Sequence, residues 1–313
     1  MNIVIVGATG AVGREMIECL KDFPLDKLRL VASSRSVGKK IGELVCEEIS
    51  EKIFEESDIA LFSAGSELSK EWRERVVAAD CLMIDNSSAF RYDDDVPLVV
   101  PEINASAARN HKGVIANPNC TTAIAAVVLW PLHKAFALKK VIISTYQATS
   151  GAGAAGMNEL LDQTEIALNG GEASCEVFDH AIPFNVIPHI DKFQENGYTK
   201  EEMKVAWETA KIFGTEIPLS CTAVRIPTLR AHCESIVIEC EKVVSVEAAK
   251  EVLEAAEGVK LVELPMPINA TGEYDVEVGR IRRNLVFGEN GLEFFLCGDQ
   301  LLKGAALNAV QIA

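Results

Sequence analysis

The sequence predicts a two-domain α/β fold, with a parallel sheet in the first domain and an α+β arrangement in the second. Three observations carry this. The first third alternates short β-rich runs with helical patterns: NIVIVG, AVGREMIECLKD and LRLVAS, then DIALFSA, SKEWRERVVAA, CLMIDNS and GVIAN. Strands alternating with helices indicate βαβ units and a parallel sheet. Beyond about residue 138, KKVIISTYQA, CTAVRIP, ESIVIECEKV and LEFFLCG read as strands and SVEAAKEVLEAAEG as a helix. Longer connections separate them, as in a mainly antiparallel or mixed sheet. Finally, 313 residues are more than one core usually organises. The boundary is expected at residue 120, giving domains 1–120 and 121–299. The end, DQLLKGAALNAVQIA, carries helical apolar spacing, so a helix over 300–313 is expected to pack back on the first domain.

Composition narrows the partners. A formal charge of -16 argues against nucleic acid and anionic membranes, which would repel the chain. An acidic protein that handles an anionic substrate must concentrate its cations locally, so Lys and Arg in unlikely places deserve scrutiny. Nine cysteines occur without a C-x-x-C pair, so neither a metal site nor a redox dithiol is indicated. Their odd number, with no secretory leader, fits a reducing cytoplasm. The apolar runs Ile3 to Val6 and Ala123 to Leu132 are too short for a signal core and a bilayer span respectively. A soluble cytoplasmic protein is expected.

In VIVGATGAVGRE, Gly7, Gly10 and Gly13 follow a strand and open a helix. Glycine lets main chain approach a pyrophosphate, whose charge is favoured at a helix N-terminus. A glycine turn in some other α/β protein would look similar. The strand before and helix after favour a Rossmann-type dinucleotide-binding domain. At the end of the second strand, LRLVASSRSVGKK supplies Arg35, Lys39 and Lys40 where an NAD site commonly has an acid. A cationic, hydroxyl-rich turn suits a 2′-phosphate, so NADP is preferred over NAD. A solvated basic loop is the alternative.

ANPNCTTAIAAVVLWPL places Cys120 after a strong turn signal, where helical spacing begins. A helix N-terminus favours a thiolate. From this segment alone a buried structural cysteine is the commoner reading. STYQATSGAGAAG puts Gln147 near a strand end before a glycine-rich loop, and AVRIPTLRAHCES carries Arg225 and His232 with a proline between them. A guanidinium binds a carboxylate bidentately and an imidazole moves protons near neutral pH. Spacing does not say whether these residues meet.

These motifs, with FSAG, IDNSSAFR, VPLVVPEIN, EEMKVAWETAKI and VGRIRRN, occur in an order that resembles the aspartate-β-semialdehyde dehydrogenase family over nearly the whole chain. The resemblance implies an α/β fold of a Rossmann-type domain plus an α+β catalytic and dimerisation domain. It implies Cys120 as nucleophile, His232 as general acid/base, and Gln147 positioning the substrate. Arg225 would bind the substrate carboxylate and Glu201 its amino group. Lys204 and Arg91 would bind phosphate. NADP would lie along Gly7, Thr9, Gly10, Ala11, Val12 and Gly13, with Arg35 and Ser36 near the 2′-phosphate. Ser150, Gly151 and Gln300 would approach the nicotinamide. The implied reaction interconverts aspartyl phosphate with aspartate semialdehyde and inorganic phosphate, within lysine, threonine, methionine and diaminopimelate biosynthesis. A homodimer or homotetramer is implied. Cys233 departs from the serine usual in the family.

Related readings remain at this stage. N-acetyl-γ-glutamyl-phosphate reductases share the Cys–His logic, and a malonyl-CoA reductase could use the same scaffold. A nucleotide-binding regulator that has lost catalysis is the alternative from another class.

Overall fold

Apolar runs in the first third build a seven-stranded sheet in the computed structural model, which describes residues 1–313. The chain forms two units, Met1–Asn119 with Ala305–Ala313, and Cys120–Gly304. The first contains, in order, β1 (Asn2–Val6), α1 (Ala11–Cys19), β2 (Lys27–Val31), β3 (Lys40–Ile41) and β4 (Leu44–Glu47). Then come α2 (Glu51–Glu55), β5 (Ile59–Phe62), α3 (Ser66–Ala78), β6 (Leu82–Asp85), α4 (Pro101–Asn104) and β7 (Val114–Ala116). The sheet order is β3-β4-β2-β1-β5-β6-β7, and only the β3–β4 pair is antiparallel.

Strand order reverses between β1 and β5, the place where open parallel sheets present a ligand crevice at their carboxyl ends. Ile3 to Val6 are buried throughout, as a strand covered on both faces requires. Ile3, Ile5, Leu30, Leu61 and Ile84 form the core with Met16 of α1 and with Ala306 and Ala309 from the chain end.

The turn from β1 into α1 depends on two glycines. Gly7 has φ +94°, and a Cβ there would lie 2.5 Å from Ser63 O. A Cβ on Gly13 would lie 2.3 Å from Gly7 O. Both neighbours are main chain and cannot swing aside. Gly10 is the N-cap of α1 and provides no side-chain acceptor for its opening N–H groups.

The second unit runs α5 (Cys120–Phe136), β8 (Leu138–Tyr146), α6 (Gly153–Leu168), α7 (Lys200–Phe213), β9 (Leu219–Thr222) and β10 (His232–Cys240). It continues with α8 (Val246–Glu254), β11 (Val259–Leu261), α9 (Pro267–Ala270), β12 (Val276–Arg283) and β13 (Gly291–Gly298). Its six-stranded sheet, β11-β12-β13-β10-β8-β9, is mixed, with β8–β9 and β11–β12 parallel. Helix α5 is apolar on every side, from Ala123 to Leu129, and is correspondingly buried.

Two stretches differ from their sequence reading. The glycine-rich segment after Gln147 is helical, a 3-10 turn over Thr149–Ala152 running into α6, because the Thr149 and Ser150 amides bond to Thr228 and Leu229 carbonyls. The terminal segment is not one regular helix. Leu302–Ala306 winds as a wider π turn before the helix Leu307–Ile312.

Candidate active site

Cys120, Gln147, Glu201, Lys204, Arg225 and His232 lie in the second unit, on five different elements or turns. Cys120 opens α5, so its sulfur sits at the positive end of a 17-residue helix. Gly304 packs its main chain on it, and a Cβ at Gly304 would come within 2.7 Å of Cys120 Cβ. Gln147 extends β8 by one residue, its N–H donating to Val224 O at 2.7 Å. Arg225 pairs with Ile187 on its other side through two main-chain bonds of 2.8 and 3.0 Å. The proline that made convergence of Arg225 and His232 unreadable thus lies in a turn that returns the chain to β10.

The Ala148 main chain ties the two together. Its carbonyl accepts from Arg225 Nη1 at 2.6 Å, and its N–H donates to His232 Nδ1 at 3.0 Å. A Cβ placed on Gly151 would lie 2.8 Å from Arg225 Nη1 and 3.2 Å from His232 Nε2. The guanidinium and the imidazole therefore border one space, kept open by a missing side chain. Burial pushes the Arg225 pKa down, while the Glu201 carboxylate and the Cys120 sulfur oppose that shift. Burial, then the Arg225 charge, holds His232 well below the usual histidine range.

Gln147 is oriented from both ends. Thr145 Oγ1 donates to Gln147 Oε1 at 3.0 Å, and Gln147 Nε2 donates to Glu201 Oε1 at 3.2 Å. The two glutamates of KEEMK have separate duties. Glu202 closes a capping box with Thr199 and also accepts the Ala223 N–H at 2.9 Å. Glu201 faces the cluster, where Lys204 Nζ meets its Oε2 at 3.1 Å and Asp191 Oδ2 at 2.7 Å. Burial would lower the Lys204 pKa, but Glu201 and Asp191 together hold it above the ordinary value.

A cavity of about 450 Å³ opens beside Arg225, lined by Phe178, Asp179, Ile187, His189 and Asp191 among others. That volume suits a small ligand. Phe178 places its ring 5.6 Å from the Arg225 guanidinium carbon. Its loop is anchored by Glu159, whose carboxylate accepts the N–H groups of Glu176, Val177 and Phe178 at 3.1, 2.6 and 3.2 Å. Sequence reading drew no site residue from this stretch. Thr145, Ala148, Asp191 and Gly304 were missed as well. Asp191 and Gly304 act on residues distant in sequence, Thr145 on Gln147 two residues along, and Ala148 only through its main chain.

The remaining residues are placed as follows. Ser150 Oγ accepts from Gln300 Nε2, and Gln300 Oε1 accepts the Ala231 N–H at 2.9 Å, so these three hold the turn before His232. Cys233 Sγ lies 3.2 Å from Cys297 Sγ on the neighbouring strand. In the first unit, Arg91 is buried and donates to Asn117 O at 2.9 Å and Asn86 O at 2.8 Å, bracing the turn that precedes Cys120. Arg35 and Ser36 lie in a 3-10 turn after β2, Arg35 exposed and Ser36 buried. Thr9, Ala11 and Val12 line the glycine turn and are partly exposed.

Both units match domains of known proteins. Residues 2–111 match the model of the semialdehyde dehydrogenase NAD binding domain, and residues 129–303 that of the semialdehyde dehydrogenase dimerisation domain. An aspartate-semialdehyde dehydrogenase of Synechocystis is 48% identical, with 100% of this chain and 96% of the relative aligned. One from Aquifex aeolicus is also 48% identical, over 100% and 96%. The crystal structure of aspartate semialdehyde dehydrogenase II from Vibrio cholerae, complexed with ASA, superposes with a TM-score of 0.96 at 42% identity, covering 99% of this chain and 96% of that one. No helix of the present chain is long and apolar enough to cross a membrane. With both domain models matched in order and relatives aligned from end to end, the chain belongs to the aspartate-semialdehyde dehydrogenase family of oxidoreductases.

Proposed function

We propose that the chain catalyses the reversible, NADP-dependent reductive dephosphorylation of L-aspartyl 4-phosphate to L-aspartate 4-semialdehyde and phosphate, through an acyl-thioester on Cys120. The observation that carries this reading is the shared space bordered by the Arg225 guanidinium and His232 Nε2, with the Cys120 sulfur acting electrostatically on the same guanidinium. Cys120 is the nucleophile, which splits a difficult acyl transfer into two easier steps. Arg225 takes the substrate carboxylate as a bidentate fork. Gln147, fixed at both ends of its amide, orients the substrate beside the thiol. Glu201 takes the amino group. His232 serves the reacting oxygen as the acid/base residue.

Lys204 and Arg91 are the phosphate ligands of this reading. Lys204 is already bonded to two carboxylates, so phosphate has to displace at least one of them. The first unit fits a phosphate-bearing dinucleotide, because its glycine turn leaves no room for a Cβ and α1 opens without a side-chain cap. Gly7, Thr9, Gly10, Ala11, Val12 and Gly13 would hold the pyrophosphate. Arg35 and Ser36, in a turn with no acid, favour NADP over NAD. Ser150, Gly151 and Gln300 would receive the nicotinamide end. When bound, the dinucleotide exchanges a hydride with the substrate carbon. The protein works as a cytoplasmic homodimer or homotetramer in amino-acid biosynthesis.

The test is NADPH formation from aspartate semialdehyde with and without inorganic phosphate, run beside N-acetylglutamate semialdehyde. Phosphate-dependent turnover of the first alone is expected. Turnover of the second alone would keep the chemistry and overturn the substrate. Turnover of neither, with NADP still bound, would overturn the reaction.

A further inference from the structure

No C-x-x-C spacing announces a dithiol in this chain, yet the fold makes one from cysteines 64 residues apart. Cys233 on β10 and Cys297 on β13 are directly opposed in the antiparallel ladder. Residues so opposed have Cα atoms about 4.5 or about 5.5 Å apart, and a disulfide spans about 4.4–6.8 Å. Either ladder position therefore suits the bond. Opposed side chains also leave the sheet on one face, so the two sulfurs share a space. They meet at 3.2 Å as free thiols. With a covalent S–S bond of about 2.05 Å, side-chain movement of about 1 Å separates the dithiol from the disulfide.

Side chains alternate along a strand, which puts Cys233 on the face of β10 opposite His232 and Glu234. The pair thus points away from the imidazole, and the proposed reaction makes no use of it. Its cover is thin: Ala231, Ala270 and the partly buried Phe295. Ala270 ends α9, a single turn whose Ile268 is exposed. Local opening of so short an element is enough to admit a molecule little larger than water.

We infer that Cys233 and Cys297 form an oxidation site, which hydrogen peroxide converts to an intrachain disulfide that staples β10 to β13. The Cys233 sulfur pair attacks one peroxide oxygen, the O–O bond breaks, and the departing hydroxide leaves as water with the Cys233 proton. Cys233 is then a sulfenic acid. The Cys297 sulfur attacks it, the S–O bond breaks, and the hydroxyl departs as water with the Cys297 proton. The two thiols lose two electrons and the peroxide gains them. The neighbouring Cys233 sulfur, then burial, push the Cys297 pKa up, so Cys297 keeps its proton and Cys233 attacks first. Burial also keeps the pair reduced at rest, and the bond forms under sustained oxidation. Beyond the pair, Asp299 holds Arg230 at 2.8 Å and Gln300 accepts the Ala231 N–H at 2.9 Å. The staple adds a covalent tie to these two, between the segments that lead into and out of the strand ends.

The test treats the parent protein with hydrogen peroxide and maps its peptides by mass spectrometry without reduction. A Cys233–Cys297 linked peptide is expected, from chains that still migrate singly on a non-reducing gel. Both cysteines left free, Cys233 carried on to sulfinic acid, or a link between two chains would each overturn the proposal. In urea, the oxidised protein should unfold with an equilibrium constant lowered by about 30- to 1000-fold, the range for closing a loop of this size. Dithiothreitol should reverse the shift. Cys233→Ser and Cys297→Ser, treated alike, should show none of it, and any peroxide damage at Cys120 is common to all three proteins. A mapped bond without the shift, or an equal shift in either serine variant, would sink the staple. Neither readout needs turnover, so both hold whatever the reaction at Cys120.

Discussion

In the turn after β1, a methyl group added at Gly7 or Gly13 would meet main-chain oxygen at 2.5 or 2.3 Å. Around Arg225 the exposure is the reverse. There the guanidinium, imidazole and amide are each held by a group from another part of the chain, and removing any of them leaves a buried partner unmatched. The first region works by leaving side chains out, within seven consecutive residues. The second works by bringing side chains in, from Cys120 to Gly304. The first is fragile to added atoms and the second to lost ones, and in the proposed reading the first governs binding and the second chemistry.

The sharpest test of that contrast is Cys120→Ala. It should lower turnover by about 10⁴-fold or more, the scale of losing a nucleophile, while dinucleotide affinity measured by titration stays unchanged. Loss of both together would mean the two regions do not divide binding from chemistry. Gly13→Ala should do the opposite. Overpacking of this kind costs about 1–3 kcal/mol, and dinucleotide affinity should fall at least about tenfold, as one such increment implies. Cys120 should still react with iodoacetamide at the parent rate. Normal dinucleotide affinity in this variant would remove the glycine turn from the cofactor site. Arg225→Lys turns a planar fork into a point charge. A drop of about 10- to 100-fold in kcat/KM is expected, the range for a lost charged hydrogen bond. An unchanged kcat/KM would take the carboxylate away from Arg225.

The same contrast explains what was legible in the sequence. Gly7, Gly10 and Gly13 are neighbours along the chain, so their spacing could be read before any fold was known. The place of Cys120 at a helix start was legible because the turn signal and the helical spacing flank it directly, while its role was not. The bonds that join Arg225 and His232 through Ala148 were not, because the connecting groups are a main-chain N–H and C=O that almost every residue possesses. Glu201 and Glu202 show the limit most clearly. They are adjacent and chemically alike, yet a capping box with Thr199 consumes one and turns the other toward Gln147. Only the direction of α7 separates them. Asp191, paired with Lys204, and Glu159, anchoring the Phe178 loop, sat in stretches with no recognisable spacing at all.

An effect on stability alone lies beneath the cluster. Glu234 is fully buried on the same face of β10 as His232, and neither of its carboxyl oxygens meets a hydrogen-bond partner. Burial first, and then the neighbouring Cys233, pushes its pKa well above the ordinary carboxylate range. Between the ordinary and the raised value, the folded chain holds a proton that the unfolded chain has released. Stability therefore falls as pH rises through that interval, by about 1.4 kcal/mol per pH unit for one group. Glu234→Gln removes this titration and leaves the other groups common to both proteins. Urea unfolding of the pair should give similar stabilities near the ordinary carboxylate pKa, with the variant gaining steadily toward neutral pH. A difference that does not change with pH would mean that Glu234 is ionised in the folded chain, and that the layer under His232 carries a charge able to support an imidazolium.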